Sequence, residues 1–558
     1  MRIPTWTRPL YLLLAISAIS LLGRESALAV EALRSMSWHH EPGKYAELRL
    51  GDQPVLRYML QPLDESTEQS RFETYKVFHH LFAPSNGQLL TNGPTGEEPY
   101  SQEVLYPHHR GLYYGFNKIT YGDGQQADTW HCNHGESQQH VEILAEETGP
   151  DYGSHRLAIN WQGQDGNVFA KELREVSAKV FPQYTQIDFV STLESAVDGD
   201  IHLDGDPQHA GVQFRAIDSV AKENASQTYY LRTDGKGAPG ETRNWNHKDL
   251  DDPMNSQCVD RPWNAQSFVV DGKRYTAIYL DNPANPKPAR YSERDYGRFG
   301  SYFVHDLKPG RPLKVRYRII LLEGETTVED CQEFSQQFVF PDVAAEEGDN
   351  LPPEGFIALF NGKDLTGWKG LVGNPKTRAT QSAEELAKNQ AAADELMRKH
   401  WSVVNNVLAY DGSRAGANLC TEKDYSNFEL TLDWRIEPTG DSGVYLRGSP
   451  QVQMWDTQHE PFFKNGADQG SGSLWNNQKH PRFPLVHADN PAGEWNTFHI
   501  RMVGDSATIK LNDQLVVDNT VLENYWERDQ PIYPTGQIEL QKHDGVLLFK
   551  NIFLRELP

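Results

Sequence analysis

Between Ser442 and Asp456 the chain reads Ser-Gly-Val-Tyr-Leu-Arg-Gly-Ser-Pro-Gln-Val-Gln-Met-Trp-Asp, which crowds an arginine, two glutamines, a tryptophan and an aspartate into two short alternating runs. Period-2 geometry points Val444 and Leu446 one way and Tyr445 and Arg447 the other. After the break at Gly448-Ser449-Pro450, Val452 and Met454 alternate with Gln451, Gln453 and Trp455. Two neighbouring strands of this kind give one sheet face fixed amides, a ring and charges. Amides hold sugar hydroxyls, a ring covers the apolar side of a sugar, and charged groups move protons. An antiparallel pair with one solvated face has the same pattern, so both readings stand.

The same alternation occurs just upstream. Phe428, Leu430, Leu432, Trp434 and Ile436 form one face of a strand, and Glu429, Thr431, Asp433 and Arg435 the other. If each apolar set packs inside a sandwich, Glu429, Asp433, Arg447, Gln453, Glu539, Gln541 and His543 gather on the opposite side. Paired carboxylates on such a face suit general acid and base work in carbohydrate cleavage; a solvated face with surface ion pairs is the other reading. Asp456 shares the parity of Val452 and Met454, so it reaches the face only through a strand end or a bulge. Trp368 is a candidate to stack on a sugar, whereas Trp434 reads as core.

Histidines concentrate in the first half. Pro107–Gly115, Trp130–Glu136 and Asp204–Gln213 bring His108, His109, Arg110, His131, His134 and His209 near Asp206, and their glycines and prolines place most of them on loops. Imidazoles with a carboxylate suit zinc or copper. The spacings match no standard ligand set, so a divalent metal ion, a sugar pocket and structural hydrogen bonding all remain open.

A chain of 558 residues is too long for one core. Its 77 acidic against 53 basic residues, net −24, exclude a nucleic-acid partner. Abundant glycine, proline, tyrosine and tryptophan with few helical periods predict a mostly β protein. Arg2 and Arg8, the apolar run Leu10–Leu22 and Ala27-Leu28-Ala29 read as a signal peptide over residues 1–29, hence export to the periplasm or the outside. That run falls short of the roughly 20 residues a spanning helix needs, and no later stretch approaches that length. Cys132, Cys258, Cys331 and Cys420 allow three complete pairings or free buried thiols.

Strand-like runs over residues 30–340 predict a large antiparallel β-sandwich, with a hairpin at Asp271-Gly272. The acidic, proline-bounded stretch 341–353 reads as a linker. Residues 354–558 hold a second sandwich, with hairpins at Asn512-Asp513 and at His543-Asp-Gly545. Ser382–His400 reads as a helix with Leu386, Ala393 and Leu396 as its apolar stripe, either a lid or insertion on the β unit or a solvated surface helix.

Gly355–Trp368, the Ser442–Asp456 stretch, Gly493–Ile500, and Gly536–His543 with Phe549–Ile552 resemble the successive signature blocks of the 3-keto-disaccharide hydrolase domain family. The resemblance implies a concanavalin-like jelly roll acting on glycosides whose glucose ring carries a ketone at C3. Such a ketone acidifies the C2 hydrogen, so a base can take it, the C1 substituent can leave, and water can add back. On this resemblance Arg447 or a divalent metal steadies the enolate, Glu429, Asp456 or His543 transfers protons, Gln453 and Gln541 hold hydroxyls, and Trp455 and Trp368 stack. The histidine stretches of the first half are similar to the methane oxygenase PmoA-like family of exported proteins, which implies a supersandwich-like fold and carries over no catalytic residue. Three functions follow: an exported enzyme cleaving 3-keto-glycosides, a non-catalytic glycan-binding protein, and a separate metal-dependent site in the first domain.

Overall fold

Alternating runs build the first of two units into which the chain divides, one ending at Ser335 and the other running from Gln336 to Pro558. The computed structural model describes residues 35–101, 103–340, 343–413, 416–543 and 545–558; the expected signal peptide lies outside the described residues. The first unit is a supersandwich-like pair of large antiparallel sheets, of eight and nine strands, with a four-stranded sheet beside them. Strands Tyr152–Gln162, Val168–Val180, Tyr184–Ser195 and Leu313–Glu323 lie side by side in the nine-stranded sheet. Their apolar positions, among them Leu157, Val176, Phe189 and Ile319, meet Leu48, Tyr58, Leu112 and Phe214 of the eight-stranded sheet in one core. The hairpin joining Trp263–Val270 to Lys273–Asp281 turns at Asp271 and Gly272, with φ of 49° and 74°. Two positive φ values are what a two-residue hairpin of matching twist requires.

The second unit is a concanavalin-like jelly roll. Its larger sheet runs in the order Trp401–Val404, Val407–Tyr410, Leu547–Glu556, Phe428–Ile436, Asn496–Val503, Ser506–Leu511, Gln514–Val521, with Ile357–Ala358 against Leu547–Glu556. The smaller sheet has five strands: Trp368–Gly370, Leu419–Thr421, Glu539–Leu540, Asp441–Tyr445 and Gln451–Trp455. Phe428, Leu430, Leu432, Trp434 and Ile436 of the first pack in one core with Val444, Val452, Met454 and Leu540 of the second. Burial of each such side chain contributes on the order of 1.5–3 kcal/mol.

Several expectations change. The hairpin at Asn512-Asp513 forms, pairing Leu511 with Gln514. The one expected at His543-Asp-Gly545 does not. Glu539–Leu540 belongs to the five-stranded sheet and Leu547–Glu556 to the larger one, so the chain crosses between sheets here. Leu540 and Leu547 both enter the core, from opposite sides, which a hairpin within one sheet would prevent. The stretch expected to be a linker, from Val343 onward, is laid on the second unit. Val343 packs with Val404, Val407, Ala409 and Leu548, and Asn350 and Asn551 exchange amide hydrogen bonds at 2.6 and 3.0 Å. All four cysteines are free and buried. No helix among the described residues is long and apolar enough to cross a membrane.

The helical insertion is Ala383–His400, capped by Ser382, whose hydroxyl accepts from Glu385 N while the Glu385 side chain accepts from Ser382 N. Its buried stripe is Ala393, Met397 and His400; Leu396, expected inside, is 39% exposed. The helix grips the edge of the five-stranded sheet at Gly370. Gly370 N donates to Asp394 Oδ1 at 2.9 Å, and Gln390 Nε2 donates to Gly370 O at 2.7 Å. A Cβ at Gly370 would stand 2.2 Å from Ala393 O, a rigid backbone atom. Gly370→Ala is expected to destabilise the protein by about 1–3 kcal/mol and to speed amide exchange along 383–400. Unchanged exchange there would refute this account of the docking.

Candidate active site

Register determines what the five-stranded sheet shows on its outer face. Val444, Val452, Met454, Leu419 and Leu540 enter the core, so Cys420, Glu539, Tyr445 and Gln451 stand on the other side. The pairings Cys420 with Glu539, Glu539 with Tyr445, and Tyr445 with Gln451 line these four residues up across the strands. Gln541, Gly443 and Gln453 occupy the next row, with Asp441 beyond them.

The rows are joined by hydrogen bonds. Gln451 Nε2 donates to Gln541 Oε1 at 2.7 Å and to Gln453 Oε1 at 2.8 Å. Gln453 Nε2 donates to Asp441 Oδ1 at 2.6 Å, and Asp441 Oδ2 lies 3.9 Å from His543 Nε2. Gly443 makes room for the ladder, because a Cβ there would stand 2.3 Å from Gln451 Nε2. Gln451 and Gln453 are almost wholly buried, so the ladder is a rigid base from which Gln541, Asp441 and His543 reach solvent.

Glu539 is the anomaly of this face. It is 3% exposed, and its Oε1 has no hydrogen-bond partner among the described residues. Burial pushes its carboxyl up to about 7, with the Arg378 guanidinium, 3.9 Å away, opposing the rise. A carboxyl that changes charge near neutrality can act as a general acid or base. Burial raises the Tyr445 phenol, and the Glu539 charge adds to this, so the phenol stays a proton donor. Arg378 closes the short helix Pro375–Arg378, which is capped by Asn374 and Thr377. Tyr525, 41% exposed, lies against the Gly448-Ser449 loop: its N–H donates to Ser449 Oγ at 2.9 Å, and Trp526 Nε1 donates to Gly448 O at 2.8 Å.

Gln453, Gln541 and His543 of the expected site therefore come together, and five others do not. Glu429 sits on the outer face of the larger sheet, paired with Arg555 and, at 3.6 Å, with Arg501. Alternation placed it correctly outward but on the other sheet. Arg447 is 2% exposed, with φ of 55°; its guanidinium donates to Pro534 O and Gly504 O, and burial lowers it to about 10. It pins two loops and leaves the face. Asp456 spends both oxygens on the backbone N–H groups of Thr439 and Gln458, at 2.8 and 2.9 Å, beyond the end of its strand. Trp368 lies in the core, its indole donating to Leu359 O. Trp455 has the expected parity but is 2% exposed; its indole donates to Gly470 O and stands edge-on to Trp475. Glu539 was placed on this face without a role of its own, and Tyr445 and Arg378 were given none. Tyr445 and Glu539 had the right parity; Arg378 lies in a stretch with no alternation to read.

In the first unit, His108, His109, His131 and His209 meet ring to ring. Arg110 turns away, donating to Phe72 O and Glu73 O and stacking 4.7 Å over the Tyr75 ring. His134 is exposed and hangs from a loop whose N–H bonds Glu136.

A jelly roll with an acid–base face, preceded by a large β-sandwich with a histidine pocket, is the class these features define. Residues 355–555 match the 3-keto-alpha-glucoside-1,2-lyase-like domain. Residues 45–336 match a family of unknown function, DUF6807, and the chain belongs to that family. The PmoA-like name expected for the first unit is not the one this match carries. A 3-keto-disaccharide hydrolase of Bacteroides thetaiotaomicron is 22% identical over 203 residues, 31% of this chain and 61% of that protein, so the chain spans about three-fifths of this curated relative. Among solved structures, a candidate glycosyl hydrolase from Parabacteroides distasonis is 23% identical at a TM-score of 0.28, covering 38% of this chain and 100% of that one. The carbohydrate binding module CBM66 from Bacillus subtilis is 13% identical at a TM-score of 0.18, covering 25% of this chain and 81% of the module.

Glu539→Gln tests the buried carboxyl through stability. The folded carboxyl titrates at about 7 against an ordinary 4.5, so the folded state keeps a proton that the unfolded chain releases between those values. Stability of the wild type therefore falls as pH rises through this window, and E539Q escapes the fall. Thermal melts should coincide near about pH 4 and diverge above it, the variant becoming more stable by on the order of 3 kcal/mol at about pH 8. A difference independent of pH would overturn the assignment.

Proposed function

We propose that the second unit of this protein, exported by its N-terminal leader, cleaves 3-keto-glycosides by elimination and rehydration. The observation that carries this reading is the buried Glu539 carboxyl beside Tyr445 and Arg378 on an outward face floored by glutamines. The match to the 3-keto-alpha-glucoside-1,2-lyase-like domain supports the substrate class.

In the proposed reaction Glu539, as carboxylate, takes the hydrogen at C2. The electron pair moves into the C2–C3 bond and the ketone oxygen becomes an enolate, steadied by the Arg378 guanidinium and the Tyr445 phenol. The enolate collapses, the C1–O bond breaks, and the leaving oxygen receives a proton from His543, whose imidazole faces the Asp441 carboxylate. The product is an alcohol and a 3-keto sugar unsaturated between C1 and C2. Water then adds: its hydroxyl goes to C1 as its remaining proton returns to the His543 imidazole, and Glu539 returns its proton to C2, which restores both groups and completes a net hydrolysis. Gln541 and the amide ladder behind it hold ring hydroxyls, and Tyr525 covers the apolar side of a sugar.

The test is aglycone release from a chemically prepared 3-keto-glucoside and from the parent glucoside. Release should require the ketone, and E539Q should lower kcat by about 10²- to 10⁴-fold. Glu429→Gln should leave kcat within about twofold of wild type, since surface ion pairs contribute little. Sugar binding without release from any 3-keto substrate would replace catalysis with a glycan-binding role.

A further inference from the structure

The histidine pocket of the first unit takes no part in that reaction, and its geometry is that of a ligand set. Side-chain nitrogens of His108, His109 and His209 all lie within 4.8 Å of one another. The rings of His109 and His209 stack with centroids 5.1 Å apart, and His131 approaches His209 to 4.5 Å and His108 to 4.9 Å.

Two features separate this pocket from a chance cluster. His108 Nε2 and His109 Nδ1 are buried with no hydrogen-bond partner among the described residues, and His109 is 1% exposed. Buried polar atoms are nearly always satisfied, so unpartnered ring nitrogens in one pocket point to a missing acceptor of lone pairs. The outward nitrogens are backed by carboxylates. His209 Nδ1 donates to Asp206 Oδ1 at 2.9 Å, and His131 Nδ1 donates to Asp128 Oδ2 at 2.7 Å. Asp206 is itself held by Asn117 Nδ2 at 2.8 Å and by the backbone N–H of Gln208. Such pairs fix the tautomer and leave Nε2 with its lone pair free, as behind metal-binding imidazoles.

Burial lowers both the His108 and the His109 imidazole below their ordinary value. Lys76 fixes the loop from beneath, its Nζ donating to His108 O at 2.7 Å and to Trp130 O. The nearby cations Lys76, Arg110, Arg215 and Arg298 oppose a bound cation, while Asp206 and Asp128 favour one.

We propose that His108, His109 and His209 bind one divalent transition metal ion of the zinc class, oriented by Asp206, with His131 and Asp128 beside it. An all-imidazole donor set selects zinc, copper or cobalt over magnesium or calcium, which take oxygen. Three protein ligands leave a coordination position open to water or to an oxygen of a ligand.

The probe is cobalt(II), titrated into the chelator-treated full chain and followed by its visible d–d absorption, then displaced with zinc(II). Wild type should take up one equivalent with a tetrahedral-type spectrum, and zinc should abolish the band. H109Q and H209Q should bind at least about 100-fold more weakly, and Asp206→Asn about 10- to 100-fold more weakly. His134→Gln, outside the cluster, should bind as wild type. Thermal melts identify any variant that fails to fold, in which case D206N, which keeps the imidazoles, carries the comparison. Absence of stoichiometric uptake by folded wild type, or equal uptake by wild type, H209Q and D206N, overturns the site.

Discussion

Holding the Glu539 carboxyl out of water without a full set of partners is the constraint on which the second unit's outer face turns. A buried ionised carboxylate is costly unless it is paired and hydrogen-bonded. Here its neighbours are arranged so that pairing stays incomplete. Gln451, in the same row, donates to Gln453 and Gln541 of the next and does not turn to Glu539. Gly448 lets the loop close over the carboxyl, since a Cβ there would stand 2.7 Å from Pro375 Cγ and 3.4 Å from Glu539 Oε1. The result is a proton held weakly at neutral pH, a state that costs the fold stability and suits proton transfer.

Period 2 made much of this legible. It sorted Phe428–Ile436, Val444 and Tyr445, and Gln451–Trp455 into core and outer sets, and the structure keeps that sorting. Alternation reports a side relative to a strand's own core and says nothing of which sheet the strand joins. Glu429 was lost to the site for that reason, because a sandwich has two outer faces. Turn residues have the same limit. Asp271-Gly272 and Asn512-Asp513 lie between strands that pair, whereas the strands on either side of residues 543–545 belong to different sheets. Arg447 departs from its run because a left-handed backbone rotates it off the pleat, and nothing in Tyr-Leu-Arg-Gly announces that rotation. The histidine stretches announced a pocket by composition alone. Which of them converge depends on pairings far apart in sequence, and His109 and Arg110, adjacent in the chain, point to different neighbours.

One physical effect works in opposite chemical directions in the two units. Removal from water disfavours the charged form of any titratable group. Applied to His108 and His109 it removes protons and leaves lone pairs, which is what a cation needs. Applied to Glu539 it retains a proton near neutrality, which is what an acid–base group needs. Neither site requires an unusual residue; each requires a fold able to bury a polar group without completing its hydrogen bonds.

The contrast with the buried pair Glu172 and Arg174 shows how much depends on distance. There the guanidinium donates twice to the carboxylate, at 2.8 and 2.9 Å, and Trp161 Nε1 adds a third bond at 2.9 Å, so both oxygens are engaged. Arg378 approaches Glu539 only to 3.9 Å, and its Nη1 is held by Val372 O at 2.9 Å. A shorter approach would complete the pair and hold the carboxyl ionised; a longer one would leave the charge unsupported and the carboxyl permanently protonated. The separation is set by the chain around Arg378. The Asn374–Thr377 capping box fixes the short helix that ends in Arg378, and Ser382–Glu385 starts the long helix anchored at Gly370. The short helix and its cap thus set how far the guanidinium stands from the carboxyl, and with it how strongly the cation opposes the effect of burial.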